Sequence, residues 1–134
     1  MSEKQYTSVA DVMVRELHII DRMAPVQHAI DLMREANVTS LVVDRRDLAD
    51  EFGLIIIDDV ARKVISDGRS TLRTSVYEVM VKPVLTLPAD MNVKYAVRLL
   101  VRVGMDRALV VDSERHPLGM ATLRDIVYRH KDLN

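Results

Sequence analysis

Cysteine is absent from the 134 residues. Its absence excludes disulfides, thiol nucleophiles and thiolate zinc sites. An excess of either charge is also missing, since 19 Lys+Arg stand against 20 Asp+Glu. There is no basic surplus to neutralise a phosphate backbone, so a nucleic-acid partner is not expected. Long apolar runs are lacking too. The longest, Gly53 to Ile57, has the length of a strand and not of a membrane span. The opening Met1-Ser2-Glu3-Lys4-Gln5-Tyr6 carries no apolar signal region. Together these absences lead us to expect a soluble, cytoplasmic protein with no membrane partner. Aromatic residues make up only 4% and methionines number 8, so the core is expected to be aliphatic and adaptable. The chain has no glycine-rich phosphate loop of P-loop spacing, no Gly-x-Ser-x-Gly elbow and no acidic calcium loop. None of its four histidines (His18, His28, His116, His130) pairs with another at metal-ligand spacing. An enzyme or a metal site is therefore not expected.

What the chain does contain is a duplication. Ser8-Val9-Ala10-Asp11-Val12-Met13 returns 67 residues later as Ser75-Val76-Tyr77-Glu78-Val79-Met80. Each reads as a helix start: serine caps a backbone N–H, and the carboxylate three residues on reaches back to the N–H of the serine. Two copies of one unit follow. At 49% hydrophobic residues, the whole chain supports a real core, whereas halves of about 65 residues would each be marginal alone.

The order of elements repeats as well. In the first half, a short strand at His18-Ile19-Ile20 precedes a helix over 25–37. Val26, Ala29, Ile30 and Met33 fall at helical spacing there, and Asn37 is the stop. Strands are expected at 41–44 and 53–57, and a helix opens at Asp58-Asp59. Asp67 to Thr74 reads as a linker, with Gly68 ending the preceding helix. In the second half a strand at Val84-Leu85-Thr86-Leu87 precedes a helix from about Met91 to Val103, stopped by Gly104. Strands at 108–112 and 118–122 and a helix from about Leu123 to Lys131 complete it. The strands lack polar alternation, so both sheet faces are expected to be covered.

Paired β-α-β-β-α units, Val-Val-Asp before a hairpin, and Gly-x-x-Thr-x-x-Asp at a strand-to-helix junction resemble the CBS domain, named after cystathionine β-synthase. The resemblance covers residues 8–131, with one domain at 8–66, a linker at 67–74 and a second domain at 75–131. Two such domains in tandem make a Bateman module. The fold it implies is α/β (α+β): two β-α-β-β-α repeats packed sheet to sheet around a pseudo-two-fold axis. The function it implies is regulation and signal transduction. An adenosine-containing ligand binds in the cleft between the repeats, and the signal passes to a partner protein. The ligand implied is an adenine nucleotide (AMP, ADP or ATP), with S-adenosylmethionine or a dinucleotide ranked behind. No tightly bound cofactor is expected. The resemblance also implies a homodimer.

The residues that carry this are Gly119-Met120-Ala121-Thr122-Leu123-Arg124-Asp125. A carboxylate on the first helical turn, Asp125, can accept two hydrogen bonds from a ribose diol. The Thr122 hydroxyl lies on the approach to a phosphate, and Arg124 adds positive charge beside it. Gly119 lets a backbone or a ligand come close. The competing reading is that Thr122 caps the helix and Asp125 completes a capping box; the two roles do not exclude each other. The first copy keeps Gly53 and Asp59 but has Ile56 in place of the threonine. Asp59 can still face a ribose, or simply charge a helix start.

By the resemblance, each cleft takes its Asp from one copy and its other walls from the other copy. Ile20 and Val38-Thr39-Ser40 would then close on Asp125. Thr86 and the Met105-Asp106-Arg107 segment would close on Asp59, with Arg107 at a position where some family members contact phosphate. Arg69 in the linker is a weaker phosphate candidate. Arg45-Arg46 and Arg62-Lys63 read as solvated charge pairs. The alternative to a sensor is a ligand-independent dimerisation or interaction scaffold with vestigial clefts, which Ile56 favours.

Overall fold

The computed structural model describes residues 6–130. Lys131, where the last helix and second domain were expected to end, lies outside them. The described residues divide into two compact units, one of residues 18–84 and one of residues 6–17 with 85–130. Each contains a three-stranded mixed sheet with helices.

In the unit of residues 18–84, β1 (Ile19–Ile20) runs parallel to β2 (Ser40–Val43), and β2 pairs antiparallel with β3 (Gly53–Ile56). The crossover between the parallel strands is α2 (Val26–Ala36). Its buried residues Val26, Ala29 and Met33 lie at helical spacing, and the helix stops at Asn37 in the left-handed conformation, φ 55°. Helix α3 (Ile57–Val60) follows β3 directly and widens into a π-type turn over Ala61–Ile65, where the Ser66 N–H donates to the Ala61 carbonyl.

The other unit repeats this pattern. Strand β4 (Thr86–Pro88) is parallel to β5 (Arg107–Val111), and β5 is antiparallel to β6 (Pro117–Thr122). Helix α4 (Val93–Val103) is started by the Asn92 side chain, which accepts the Lys94 N–H, and is ended by Gly104 at φ 71°. Helix α5 (Leu123–Arg129) leaves β6 as α3 leaves β3. The fourth strand begins later than the sequence suggests, at Thr86 and not at Val84.

Both capped segments form as expected. The Ser8 N–H donates to Asp11 Oδ2 and the Ser75 N–H to Glu78 Oε2, each at 2.8 Å. The segments are α1 (Val9–Val12) and a single 3-10 turn (Val76–Glu78). Where they dock could not be read from the repeat. Val14, just after the first cap, exchanges both backbone hydrogen bonds with Met120 on β6 at 2.9 Å. Val81, just after the second, exchanges 2.8 and 2.9 Å bonds with Leu54 on β3. Each capped segment thus joins the sheet of the other sequence repeat and covers an edge that would otherwise stay open.

A glycine stands at each docking point for a steric reason. A Cβ on Gly119 would lie 2.6 Å from the Val14 carbonyl oxygen, and one on Gly53 would lie 2.8 Å from the Met80 sulfur. The docked segments also fill the cores. Val9, Val12 and Met13 pack with Leu87, Ala96, Leu100, Val110 and Ile126. Val76 and Val79 pack with Ile20, Met33, Leu41, Ile55 and Val64. Each buried valine removes enough apolar surface from water to favour folding by about 1.5–3 kcal/mol.

The expected linker is part of this docking. The Thr71 and Thr74 carbonyls accept the Gln27 and Val26 N–H groups at the start of α2, and Thr74 is buried. Val42, Leu54 and Leu109 belong to neither of these two cores and are buried as well.

Candidate ligand-binding site

The strand-to-helix junction of each unit sits beside the start of its middle strand. In the unit with α5, Arg107 pairs with Thr122, and the Leu123 N–H donates to the Asp106 carbonyl at 2.9 Å. Asp106, Arg107, Thr122 and Asp125 therefore meet at one end of the β5–β6 hairpin, with Arg124 on the same first turn of α5.

Thr122 takes both roles that its chemistry allows. Its hydroxyl accepts the Asp125 N–H at 3.0 Å, as a helix cap, and donates to Asp125 Oδ2 at 2.8 Å. The carboxylate is thereby held in one orientation by a neutral group. Its Oδ1 has no hydrogen-bond partner among the described residues. Arg107 is half-buried and is held by Asp106 through two 3.0 Å contacts, Nε to Oδ1 and Nη2 to Oδ2. The guanidinium lowers the Asp106 carboxyl below the usual carboxylate range. Arg124 points outward, 5.9 Å from the centroid of the Tyr128 ring.

The equivalent junction in the other unit has the same frame and different chemistry. Ser40 pairs with Ile56, and the Ile57 N–H donates to the Thr39 carbonyl at 2.9 Å. Thr39 and Ser40 stand where Asp106 and Arg107 stand in the second copy, and Ile56 stands where Thr122 does. Asp59 is only 6% exposed. With no hydroxyl at position 56, its Oδ1 accepts from Arg62 Nη2 at 2.8 Å.

The strand register thus groups the expected residues by unit. Arg107 lies beside Thr122 in the sheet that leads to Asp125, and Thr39 and Ser40 lie beside Ile56 in the sheet that leads to Asp59. Thr86 is exposed on β4 opposite Leu109, two positions along β5 from Arg107. Ile20 is buried and pairs with Val43, three positions along β2 from Ser40. Val38 is half-buried, and its N–H donates to the Met33 carbonyl. Gly119 is buried, and what approaches it is the Val14 backbone.

The pairings of two residues at these junctions, Arg62 and Asp106, escaped the sequence reading, which named both without them. Arg62 is not simply solvated: it is the partner of Asp59, and the signal was the i,i+3 spacing of opposite charges on one helix. Asp106 holds Arg107 from the adjacent position, which no periodicity marks. Arg69 pairs with Glu78 at 2.8 Å and is thereby committed within its own unit. Of the other basic pairs, Arg45 lies over the Phe52 ring at 4.6 Å, and Arg46 and Lys82 converge on Asp50 at 3.3 and 2.8 Å. Among the described residues no cluster of three metal-ligating side chains occurs, and no helix is long and apolar enough to cross a membrane.

A duplicated α/β unit with a carboxylate at both strand-to-helix junctions defines a tandem module. The sequence matches the CBS domain family twice, at residues 9–66 and 76–132. The chain therefore belongs to the CBS domain family, whose tandem pairs are regulatory modules that often bind adenosine ligands.

An uncharacterized protein of Methanopyrus kandleri is 32% identical over 108 residues, which are 78% of this chain and 54% of that protein. Inosine-5'-monophosphate dehydrogenase of Thermoplasma acidophilum is 28% identical over 120 residues, 90% of this chain and 23% of the enzyme. The chain thus spans about half of the first relative and a quarter of the second. Among solved structures, a hexameric CBS-CP12 protein from bloom-forming cyanobacteria superposes with a TM-score of 0.90 at 26% identity, covering 97% of this chain and 75% of that one. The CBS domain of a bacterial CNNM/CorC family Mg2+ transporter, solved in complex with ATP, shares the fold with a TM-score of 0.77 at 22% identity, covering 92% and 86%.

Proposed function

We propose that the chain is a non-enzymatic cytoplasmic sensor that binds an adenine nucleotide at Asp125 and signals its presence to a partner protein. AMP, ADP and ATP come first, with S-adenosylmethionine or a dinucleotide behind them. Asp125 takes the ribose diol and Thr122 the phosphate; Arg107, which the sequence reading assigned to the Asp59 cleft, is paired with Thr122 by the strand register and adds positive charge there. The observation that carries this reading is the Thr122–Asp125 couple. A hydroxyl fixes the carboxylate through Oδ2 and leaves Oδ1 open to a donor, and an arginine stands on the paired residue of the next strand. The ATP complex of a related fold supports the ligand class.

Titration calorimetry of the full chain with AMP, ADP and ATP tests it. Binding tighter than millimolar is expected. Asp125→Ala should weaken binding roughly 10- to 100-fold, the worth of hydrogen bonds to a charged group. No binding in that range, or binding unchanged by the substitution, would refute the site.

The scaffold reading keeps one specific support, the loss of the hydroxyl at Ile56. Tyr95, Val101, Val127 and Tyr128 expose apolar surface on α4 and α5, which supports self-association as a homodimer. Light scattering with and without nucleotide separates the two readings, because the assembly of a pure scaffold ignores the ligand.

A further inference from the structure

The two junctions hold similar groups in different places. Each has a carboxylate at the third helical position and an arginine nearby. In the second copy the arginine, Arg107, is held by Asp106, and Asp125 is left to a neutral hydroxyl. In the first copy the arginine comes from the helix itself. Arg62, one turn after Asp59, places Nη2 2.8 Å from Asp59 Oδ1. The position one turn after Asp125 is Tyr128, which offers no cation to a carboxylate.

A diol bound by a carboxylate uses both oxygens as acceptors, and a charged donor already seated on one of them is a competitor. The pairing is favoured where it stands, because the Asp59 side chain is 9% exposed and a carboxylate so far from water needs a partner. The Arg62 side chain as a whole is 69% exposed and is not part of the apolar core of the unit, so its substitution leaves that core in place.

We propose that Arg62 sets the number of ligand positions: it occupies the carboxylate of Asp59 and keeps the first copy closed to a ribose diol, so that one nucleotide binds per chain. This inference rests on the reading of Asp125 as the ribose acceptor, and it assigns Asp59 as a second, latent acceptor of the same chemical class. Removing the guanidinium opens it.

The test is calorimetric stoichiometry on the full chain, with AMP and with adenosine, which needs no phosphate contact at Ile56. Wild type should take one ligand per chain. Arg62→Gln, which keeps most of the stem and loses the charge, should take two, the second at least about fivefold tighter than any second event in wild type. Arg62→Lys, which keeps a cation, should stay at one. Arg62→Gln combined with Asp125→Ala should return to one, now lost on Asp59→Ala. Circular dichroism checks that each variant is folded, and Arg62→Ala repeats the measurement should glutamine itself bond Asp59.

A stoichiometry of one for folded Arg62→Gln and Arg62→Ala, with binding still lost on Asp125→Ala, overturns the inference and leaves the Asp125 reading standing. Two ligands on wild type, one of them lost on Asp59→Ala, also overturns it. Binding by Arg62→Gln but not by wild type sinks the Asp125 reading and upholds the role of Arg62. No binding by any form ends both.

Discussion

Thr122 shows how one side chain serves structure and site together. Its hydroxyl caps α5 and fixes the Asp125 carboxylate with the same oxygen. Loss of a cap costs about 1 kcal/mol, so effects on stability and on ligand binding are coupled at this residue. Asp125 carries less structural weight, which makes it the cleaner probe.

Other carboxylates act on stability through their protons. The N–H groups of Arg46 and then the Lys82 ammonium hold Asp50 well below the usual carboxylate range. The Arg107 guanidinium does so for Asp106, and the N–H groups of His116 and Glu114 for Asp112. A carboxyl depressed in the folded state binds fewer protons there than in the unfolded chain. Its stabilising effect is complete above the unfolded value, about 4, and is lost as pH falls through the folded one. Urea midpoints should therefore be level from about pH 7 to pH 5 and fall below about pH 4. Asp50→Asn should flatten that fall, and an unchanged slope would contradict the assignment.

Among the elements, the docked edge segments are the most informative. A Cβ at Gly119 would meet the backbone oxygen of Val14 at 2.6 Å, and backbone cannot swing aside. At Gly53 the nearest atom is the Met80 sulfur at 2.8 Å, on a flexible side chain, with the Val81 oxygen at 3.3 Å. Gly119→Ala should therefore destabilise by about 1–3 kcal/mol and Gly53→Ala by clearly less, as read from urea midpoints. Equal losses would mean that the segment after Ser8 yields as easily as Met80 does.

The helices of this scale were largely legible. Val26, Ala29 and Met33 marked α2, and Asn37 and Gly104 marked helix ends by the left-handed turn each adopts. The late start of β4 was not legible, because Val84 and Leu85 are as apolar as Leu87. What distinguishes Thr86 to Pro88 is pairing with β5, a long-range event.

At the scale of the whole molecule, sequence repeats and compact units divide the chain differently. Among the described residues, 6–17 pack with 85–130, and residues 18–84 form the other unit. A fragment of residues 18–84 keeps Val76 and Val79 in its core, whereas a fragment of residues 8–66 loses both. Far-ultraviolet circular dichroism at equal concentration should show a cooperative melt for the first and a weaker, broader one for the second. Matching melts would argue that the docked segment contributes little.

The sequence by itself determined the duplication, both serine caps, most of the helices and strands, and the Gly-x-x-Thr-x-x-Asp stretch ending at Asp125. All of these rest on groups within a few residues of each other, where spacing alone fixes who can meet. Only the tertiary structure decided which sheet each capped segment joins, and where the arginines put their charge. Ser8 and Ser75 make the same local hydrogen bonds whichever edge they dock on; the choice lies in the Val14–Met120 and Val81–Leu54 pairs, formed between distant parts of the chain. Arg62 read as a solvated charge and Arg107 as a phosphate candidate, but the first pairs with a buried carboxylate and the second is held by its neighbour. Burial around Asp59 and the hydroxyl of Thr122 made that difference, and both are properties of the folded junction.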